Sequence, residues 1–291
     1  KAFLQEVQSK ELNEIRVSDI CKDAKVNRTT FYANYIDIYD LADKVRERMI
    51  NEYASLYENN NDGHTPENYL KMFKHIKDNQ ILVNLSKGLE LPSLKRMSEV
   101  IKEVLPEQKL VILSGPTLAK EVLQGKPTAA CVACEDVHTA EFVQKAMNVS
   151  DRFRLYTNTD VIGVELGGSL KNVIAIASGF AHEMGLGDNC SGSLLTRGMA
   201  EIVRLSIRLG ANPSTLYGLS GIGDLIATCS SPMSRNYTVG SMLGKGKKID
   251  DILSELGSVA EGVKTSKAVC DLAKKLDIEV PVSNAIYEAV Y

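Results

Sequence analysis

A single lysine stands in the most apolar part of the sequence. Lys171 occurs in GGSLKNVIAIASG, a run whose composition predicts burial on every side. An unpaired buried ammonium group is costly, so this lysine should meet an opposite charge or face a cavity. Gly167, Ala175 and Gly179 share its face at helical spacing, which allows a ligand or a neighbouring backbone to approach closely. A lysine that snorkels from a helix end is the alternative.

Two further segments carry polar residues suited to anion recognition. SSPMSRNY places Ser234, Arg235 and Asn236 consecutively in a predicted loop, where an arginine fork and its neighbours could hold a phosphate or carboxylate. GLSGIGDL sets Asp224 behind flexible glycines. Taken alone, the first segment is better explained as a solvated turn, and Asp224 as the N-cap of a helix.

The elements that must position these residues change character near residue 80. Up to Asn79, Leu70, Phe73 and Ile76 stand at helical spacing and predict a lysine-rich amphipathic helix. Beyond it, strand-like runs at 81–86, 109–115, 128–134 and 153–158 alternate with helical segments at 91–105 and 139–148. This order predicts an α/β fold over 80–160, the second half of a doubly wound sheet. Residues 161–291 read as an all-α domain.

The first eighty residues have the pattern of helix caps and turns that is typical of a helix-turn-helix. Ser18 is predicted to cap a short helix that has Ile20 and Cys21 on one side. Asn27 is predicted to cap a second helix over 28–35, and a third helix follows Asp37. Phe31 should face inward. The exposed start of the second helix has side chains of the types that reach phosphates and base edges: Asn27, Arg28, Thr29, Thr30 and Tyr32. Three small packed helices without a DNA partner are the alternative.

The overall composition excludes few classes of protein. The 291 residues have room for about two domains, and 44% hydrophobic with 24% charged residues is ordinary for a globular protein. A net charge of −3 gives no global basic excess. The longest apolar stretch is interrupted by Glu165, Lys171 and Asn172, and the first residues show no apolar core with a cleavage site, so we predict a cytoplasmic protein with no membrane partner.

The six cysteines are scattered without the density of a disulfide scaffold. Cys131 and Cys134 form a C-x-x-C, but in a β-type run, where positions three apart point to opposite faces. With no second pair or histidine partner beside them, we predict no metal site.

The stretch VNRTTFYANY resembles the recognition helix of TetR/AcrR-type transcriptional regulators. One departure is Lys25, where that family usually has glycine; if this residue is left-handed, lysine costs about 1 kcal/mol. The resemblance implies a symmetric dimer on a palindromic operator, followed by a helical ligand-binding domain after about Gln80. The sequence there has the α/β pattern instead.

Residues 80–291 closely resemble bacterial NAD(P)-dependent glycerol-3-phosphate dehydrogenase. The shared motifs, in order, are NLSKGLE, LSGPTLAKEV, VELGGSLKNVIAIASG, GLSGIGDLIATC, SRNY and EG at 261–262. The resemblance implies a homodimeric oxidoreductase with a Rossmann domain and a helical domain of the 6-phosphogluconate dehydrogenase-like type. It would interconvert dihydroxyacetone phosphate and sn-glycerol 3-phosphate, a glycerophospholipid precursor, with NAD or NADP.

The roles of individual residues follow from this resemblance, position by position. Lys171 is the implied catalytic acid/base. The implied substrate-binding residues are Lys87, Gly115, Thr117, Lys171, Asp224, Ser234, Arg235 and Asn236. The implied cofactor-binding residues are Lys87, Ala119, Arg235, Val259 and Glu261. Two lysines in one pocket repel each other, which should lower the pKa of one toward neutrality.

That family begins with a strand, a G-x-G-x-x-G turn and a helix, and none of the 21 glycines shows this spacing. Both ends also look cut. We therefore expect a truncated TetR-like domain over 1–79, joined to a dehydrogenase without its amino-terminal cofactor half and inactive as it stands. A joining error in a gene or assembly is the favoured cause. The alternatives are a DNA-binding regulator that uses the dehydrogenase remnant as a sensor or interface, and a non-functional chimera.

Overall fold

The computed structural model describes most of the chain beyond residue 80 and part of the chain before it. The described residues are 2–7, 10, 12–45, 47, 48, 76, 80–148, 151–256 and 260–291. The chain divides after Lys74 into two compact units, which are described separately. The helix predicted around Leu70 and Phe73 lies outside the described residues.

The amino-terminal unit consists of short helices. Helices α1, α2 and α3 span Ala2–Glu6, Val17–Asp23 and Arg28–Tyr32, a 3-10 turn covers Leu12–Glu14, and residues 38–45 are also helical. Their inward side chains form one small core of Phe3, Ile15, Ile20, Cys21, Phe31, Ile38 and Leu41. The inward position predicted for Phe31 is therefore confirmed.

The caps of these helices agree only partly with the sequence pattern. Asn27 caps α3 as predicted, with its Oδ1 accepting from the Thr30 N–H at 2.7 Å. The cap predicted at Ser18 is wrong: α2 begins at Val17 and its N-cap is Arg16, because extended backbone at Arg16 starts the helix two residues earlier. Helix α3 also ends before residue 35. Lys25 is left-handed with φ 56°, the strained case for a non-glycine residue.

The second unit begins with a four-stranded sheet. The strands are β1 Ile81–Asn84, β2 Lys109–Ser114, β3 Thr128–Ala133 and β4 Phe153–Asn158, in the spatial order β1-β2-β3-β4. The β1–β2 and β3–β4 pairs are parallel, while β2 and β3 are antiparallel. All four predicted strands are confirmed, in a partial Rossmann-like sheet whose two parallel halves run in opposite directions.

Three helices accompany the sheet: α4 Met97–Val104, α5 Ala119–Leu123 and α6 Val137–Met147. Helix α6 packs Ala140 and Val143 into the core beneath the strands. The helix predicted over 91–105 is too long at its start. Residues before Met97 form turns and a bridge between Leu89 and Arg96 instead, since a proline lies at position 92 and Leu94 has a positive φ.

The all-α domain predicted after residue 160 is confirmed and is built around one central helix. Helix α7, Val161–Glu183, has Asp160 as its N-cap, whose Oδ1 accepts from the Gly163 N–H at 2.8 Å. It is apolar and long enough to span a membrane, but 89% of its most hydropathic window is buried within the protein. Helix α7 is thus the core of this domain.

The remaining helices surround α7. They are α8 Gly187–Arg208, α9 Pro213–Leu216, a π-helix Leu219–Gly223, α10 Asp224–Cys229, α11 Arg235–Gly244, α12 Ile249–Leu256, α13 Glu261–Leu276 and α14 Pro281–Val290. Close backbone contacts occur where glycines were predicted to allow them. A Cβ on Gly167 would lie 2.6 Å from the Ser220 carbonyl oxygen, and one on Gly179 2.0 Å from that of Tyr237.

Candidate active site

The buried lysine of α7 has the partner that its surroundings demand. Lys171 is 5% exposed, and its Nζ donates to Asp224 Oδ1 at 2.7 Å and to Thr228 Oγ1 at 2.5 Å. The side chain therefore forms a buried ion pair in the middle of the domain. Snorkelling from a helix end is excluded, because Lys171 lies near the centre of α7.

An irregular stretch of helix positions Asp224 beside this lysine. The π-helix Leu219–Gly223 runs directly into α10, so Asp224 is the first residue of α10 and Gly223 is its N-cap. The N-cap role suggested for Asp224 in isolation is therefore wrong. Its carboxylate is 2% exposed and turns toward α7. One π-helical turn is a common device for redirecting side chains at functional sites.

A second lysine reaches the same carboxylate from the sheet. Lys87 lies just beyond β1, and its Nζ donates to Asp224 Oδ2 at 2.7 Å. Lys87 and Lys171 thus occupy the two oxygens of one carboxylate. Two ammonium groups against one carboxylate leave an excess positive charge when both lysines are protonated, which suits a site that receives an anion.

This arrangement changes the acidity of Lys171. Burial first, and then the neighbouring charge of Lys87, lower the pKa of Lys171 from 10.5 to about 8, while Asp224 acts in the opposite direction. The lowering expected from two lysines in one pocket is confirmed in direction, although desolvation is the larger cause. A group with this pKa can both give and take a proton near neutral pH.

The carboxyl end of β2 lies beside Lys87. Gly115 has a φ of 152°, and a Cβ there would lie 2.9 Å from the Ala130 Cα, so the position requires glycine. Its carbonyl oxygen lies 3.5 Å from Lys87 Nζ and accepts from Thr117 Oγ1 at 3.2 Å. Gly115 and Thr117 therefore stand next to the lysine pair.

The predicted loop around SRNY is instead a helix start. Ser234 is the N-cap of α11, and its Oγ accepts from the Tyr237 N–H at 3.4 Å. Ser234 and Asn236 are buried, whereas Arg235 is exposed. The loop prediction failed because a serine before a polar pair fits a turn and an N-cap equally well.

One of the residues implied in cofactor binding, Glu261, is bonded to the helix that carries Lys171. Asn172, the neighbour of Lys171, donates through Nδ2 to Glu261 Oε2 at 3.1 Å. Asn236 Oδ1 accepts from the Gly262 N–H at 2.9 Å. The first bond joins the start of α13 to the middle of α7, and the second joins the starts of α11 and α13 to each other. Ala119 is exposed at the start of α5, and Val259 lies outside the described residues.

The edge of the sheet beside Lys87 has buried polar groups that make no hydrogen bond to the described residues. Within the described ranges, Asn84 Nδ2 and Ser114 Oγ are buried and have no hydrogen-bond partner. Asn84 is opposite Ile112 in the parallel register, so Asn84 and Ser114 project from one face. Doubly wound folds bind nucleotides beyond the carboxyl ends of their strands. These unpaired groups fit the polar end of a nicotinamide cofactor.

Three site residues were missed by sequence reasoning: Ser169, Asn172 and Thr228. Thr228 follows Asp224 by four residues on α10, and its Oγ1 also donates to Asp224 Oδ1 at 3.2 Å. That spacing was a usable signal, because positions four apart share a helix face. The other two flank Lys171 and take part through bonds to distant segments, which spacing does not reveal.

Known proteins of one family resemble this chain in sequence and fold. Models of the amino-terminal and carboxy-terminal parts of NAD-dependent glycerol-3-phosphate dehydrogenase match residues 63–140 and 160–291. A solved glycerol-3-phosphate dehydrogenase from Coxiella burnetii is 34% identical with a TM-score of 0.74, and the match covers 78% of this chain and 69% of that one. The chain belongs to the NAD-dependent glycerol-3-phosphate dehydrogenase family.

Curated members of this family are closer in sequence. The glycerol-3-phosphate dehydrogenase (NAD(P)+) of Listeria monocytogenes serotype 4a is 50% identical over 219 residues, and that of Chlorobium phaeobacteroides is 51% identical over 217. Each match covers 74% of this chain. The chain spans 64% and 65% of the length of these two relatives. Residues 63–79, predicted as part of the first domain, fall inside the dehydrogenase match.

Proposed function

We propose that this chain carries the substrate-binding and proton-transfer residues of an NAD(P)-dependent glycerol-3-phosphate dehydrogenase. The reaction interconverts dihydroxyacetone phosphate and sn-glycerol 3-phosphate. The observation that carries the proposal is the sharing of the Asp224 carboxylate by Lys87 and Lys171 at 2.7 Å each. Both lysines belong to motifs shared with the family.

A bound nicotinamide cofactor supplies the hydride that adds to the substrate carbonyl carbon. The protonated Lys171 then gives its proton to the carbonyl oxygen, and in the reverse direction the neutral amine removes it from the hydroxyl. Asp224 and Thr228 orient the amine through their bonds to Nζ. The lowered pKa of Lys171 keeps both protonation states available.

The remaining implied residues have roles that their chemistry supports. Lys87 adds positive charge for the substrate's phosphate, with Gly115 and Thr117 beside it. Ser234, Arg235 and Asn236 stand at the amino-terminal end of α11, where unpaired N–H groups and the helix dipole favour an anion. We assign them to the glycerol phosphate, with Arg235, Ala119, Val259 and Glu261 toward the cofactor.

The pyrophosphate and adenosine of such a cofactor rest in this fold class on a glycine-rich turn. The printed 291 residues contain no G-x-G-x-x-G spacing. We therefore propose that the chain as given binds NADH or NADPH weakly and turns over slowly. Titration of the purified chain with NADH, followed by fluorescence, tests this. Saturable binding in the low micromolar range, with oxidation of glycerol 3-phosphate, would contradict it.

Activity itself is best tested in a hybrid enzyme, in which the amino-terminal segment of the Listeria monocytogenes relative precedes residue 63. The hybrid should reduce dihydroxyacetone phosphate with NADH or NADPH, because the segment should supply the glycine-rich turn on which the cofactor's pyrophosphate rests in this fold class. A folded hybrid with no turnover would contradict the proposed function. We further propose a cytoplasmic homodimer, to be tested for its oligomeric state by sedimentation equilibrium.

A second proposal concerns the amino-terminal residues, as a TetR-like DNA-binding element within 1–79. It is supported by the Asn27 cap at the start of α3 and by the exposed Arg28, Thr29, Thr30 and Tyr32. Binding should be weak and strongly salt-dependent, because one such element reaches a single half-site. A mobility-shift titration that found tight sequence-specific binding would favour a regulator that uses the dehydrogenase part as a sensor.

We also propose that these two parts come from different parent proteins. The dehydrogenase match begins at residue 63, whereas the TetR-like pattern lies in the residues before it. Amplification of the source DNA across codons 55 to 90 distinguishes the alternatives. A continuous product supports a genuine fusion, and its absence supports a chimera that arose in assembly.

A further inference from the structure

A buried serine on α7 holds the backbone next to Lys87. Ser169 is 1% exposed, and its Oγ accepts from the Gly88 N–H at 2.8 Å. The same hydroxyl donates to the Glu165 carbonyl oxygen, one turn earlier in α7, also at 2.8 Å. A rigid helix is thereby bonded to the peptide that follows Lys87.

Gly88 is buried, and the next residue, Leu89, packs in the core of the helical domain. Gly88 has a φ of 123°, a conformation that glycine enters and leaves freely because it has no Cβ. The nearest atom to a Cβ built on Gly88 would be Thr265 Oγ1, at 3.6 Å, so the space beside its Cα is not tightly filled. Because Gly88 has no side chain to limit its torsion angles, the hydrogen bond to Ser169 restrains the backbone between Lys87 and Leu89.

The stem of Lys87 runs across the same part of α7. A Cβ built on Gly168, the residue before Ser169, would come within 3.5 Å of Lys87 Cε. From there the side chain extends to Asp224 Oδ2. The backbone next to Lys87 and the stem of its side chain thus both lie against one short segment of α7, two to three residues before Lys171.

We propose that Ser169 is a positioning residue, which fixes the Gly88 peptide and so sets the Lys87 ammonium group on Asp224. Its importance for catalysis rests on the proposed function. Its effect on the site does not, because the geometry of the two lysines and the carboxylate can be measured without turnover.

The consequence for Lys171 has a definite sign. The ionisable groups acting on Lys171 are Lys87, Asp224 and Cys229. When Lys87 withdraws, its repulsion weakens, and Asp224 is left to interact with Lys171 alone. Both changes favour the protonated amine, so the pKa of Lys171 should rise from its value of about 8.

The test follows the titration of Lys171 in the full chain by NMR, with 13C at lysine Cε and assignment from Lys171→Met. Ser169→Ala should raise the pKa of Lys171 by about half a unit to one unit, in the direction of Lys87→Met, which removes the second charge outright. Ser266→Ala is the matched control. Ser266 is also fully buried, and among the described residues its hydroxyl donates within its own helix, to the Val263 carbonyl oxygen.

Thermal unfolding of each variant separates positioning from a merely structural role. A raised pKa in Ser169→Ala, with the wild-type value in Ser266→Ala, supports the proposal. If Ser169→Ala lowers the melting temperature but leaves the pKa of Lys171 unchanged, Ser169 is structural only and the proposal is wrong. The same conclusion holds if both serine variants move the pKa equally. None of these outcomes depends on whether the hybrid turns over substrate.

Discussion

Two carboxylates are buried equally deeply in the helical domain, but their partners differ in kind. Asp224 and Glu201 are each 2% exposed. Glu201, on α8, accepts from the Val282 and Ser283 N–H groups at 2.6 and 3.1 Å and from Ser283 Oγ at 2.8 Å. Asp224 is instead bonded to two ammonium groups and a threonine hydroxyl.

The difference separates a structural carboxylate from a chemical one. Glu201 meets neutral donors at the start of α14, which satisfies the free N–H groups of a helix end and holds α14 on α8. Asp224 holds cations, one of which has a pKa brought close to neutrality. A buried carboxylate is thus weak evidence of function by itself. Its hydrogen-bond partners, and whether they can change protonation near neutral pH, distinguish a chemical role from a structural one.

The largest expected effect is that of Asp224→Ala. Removing one partner of a buried ion pair leaves the other charge uncompensated, which typically costs about 3–5 kcal/mol. Urea denaturation should show this loss, and the hybrid should also lose activity. Asp151→Ala, at an exposed aspartate in a turn, is the control and should change neither. Normal activity in Asp224→Ala would place the proton-transfer site elsewhere.

Lys171→Met should remove activity with less damage to the fold. A positioned acid/base contributes at least about a hundredfold to kcat, and methionine fills a similar volume without a charge to bury. Steady-state assays of the hybrid with dihydroxyacetone phosphate measure this. Lys95→Met, at a half-exposed lysine, serves as the comparison. Near-normal turnover would remove Lys171 from the catalytic role.

Glu201→Ala should show the reverse pattern. Two N–H groups and one hydroxyl lose their acceptor, at an expected cost of about 2–3 kcal/mol in the free energy of unfolding. The KM and kcat of the remaining folded hybrid should stay within about twofold, because the affected donors lie at the start of α14. Glu255→Ala, at an exposed glutamate, should leave stability unchanged. A kcat that fell with stability intact would give Glu201 a chemical role.

The smallest effect is a shift in pH dependence. Reduction needs protonated Lys171, so its rate should fall as pH rises through about 8, while oxidation needs the neutral amine and should rise there. The pKa of Lys171 in the folded state is about 8, below the ordinary 10.5 of a lysine. Between these two pH values the folded state binds fewer protons than the unfolded state, so the contribution of Lys171 to the free energy of unfolding increases with pH. Lys87→Met should move both rate profiles to higher pH. Unmoved profiles would show that the lysines are not coupled.

Local patterns predicted the parts of this molecule that are locally determined. The four strands and helix α7 were predictable because their apolar runs ended at helix- and strand-breaking residues. A partner for Lys171 was predictable because a lysine within an apolar run must be paired or face a cavity. The partner itself was not predictable from pattern, since Asp224 lies 53 residues away and turns inward only through a π-helix. Resemblance to a family supplied what periodicity could not.

The errors have a similar physical origin. A serine can cap a helix, stand inside its first turn or begin a loop, and tertiary contacts decide among them. Ser18 was assigned as a cap but lies inside a helix, while Ser234 was assigned to a loop but is a cap. Likewise, Gly88 gave no sign in the sequence that a serine 81 residues later would hold its N–H.

The central position of α7 has a consequence for biosynthesis. This helix leaves the ribosome before α8 to α14, although those helices supply most of its cover. Until they follow, a segment apolar enough to cross a bilayer lacks most of the contacts that bury it in the finished fold. Chains that stop shortly after Glu183 should therefore aggregate or be degraded, because burial of α7 depends on helices that are synthesised after it.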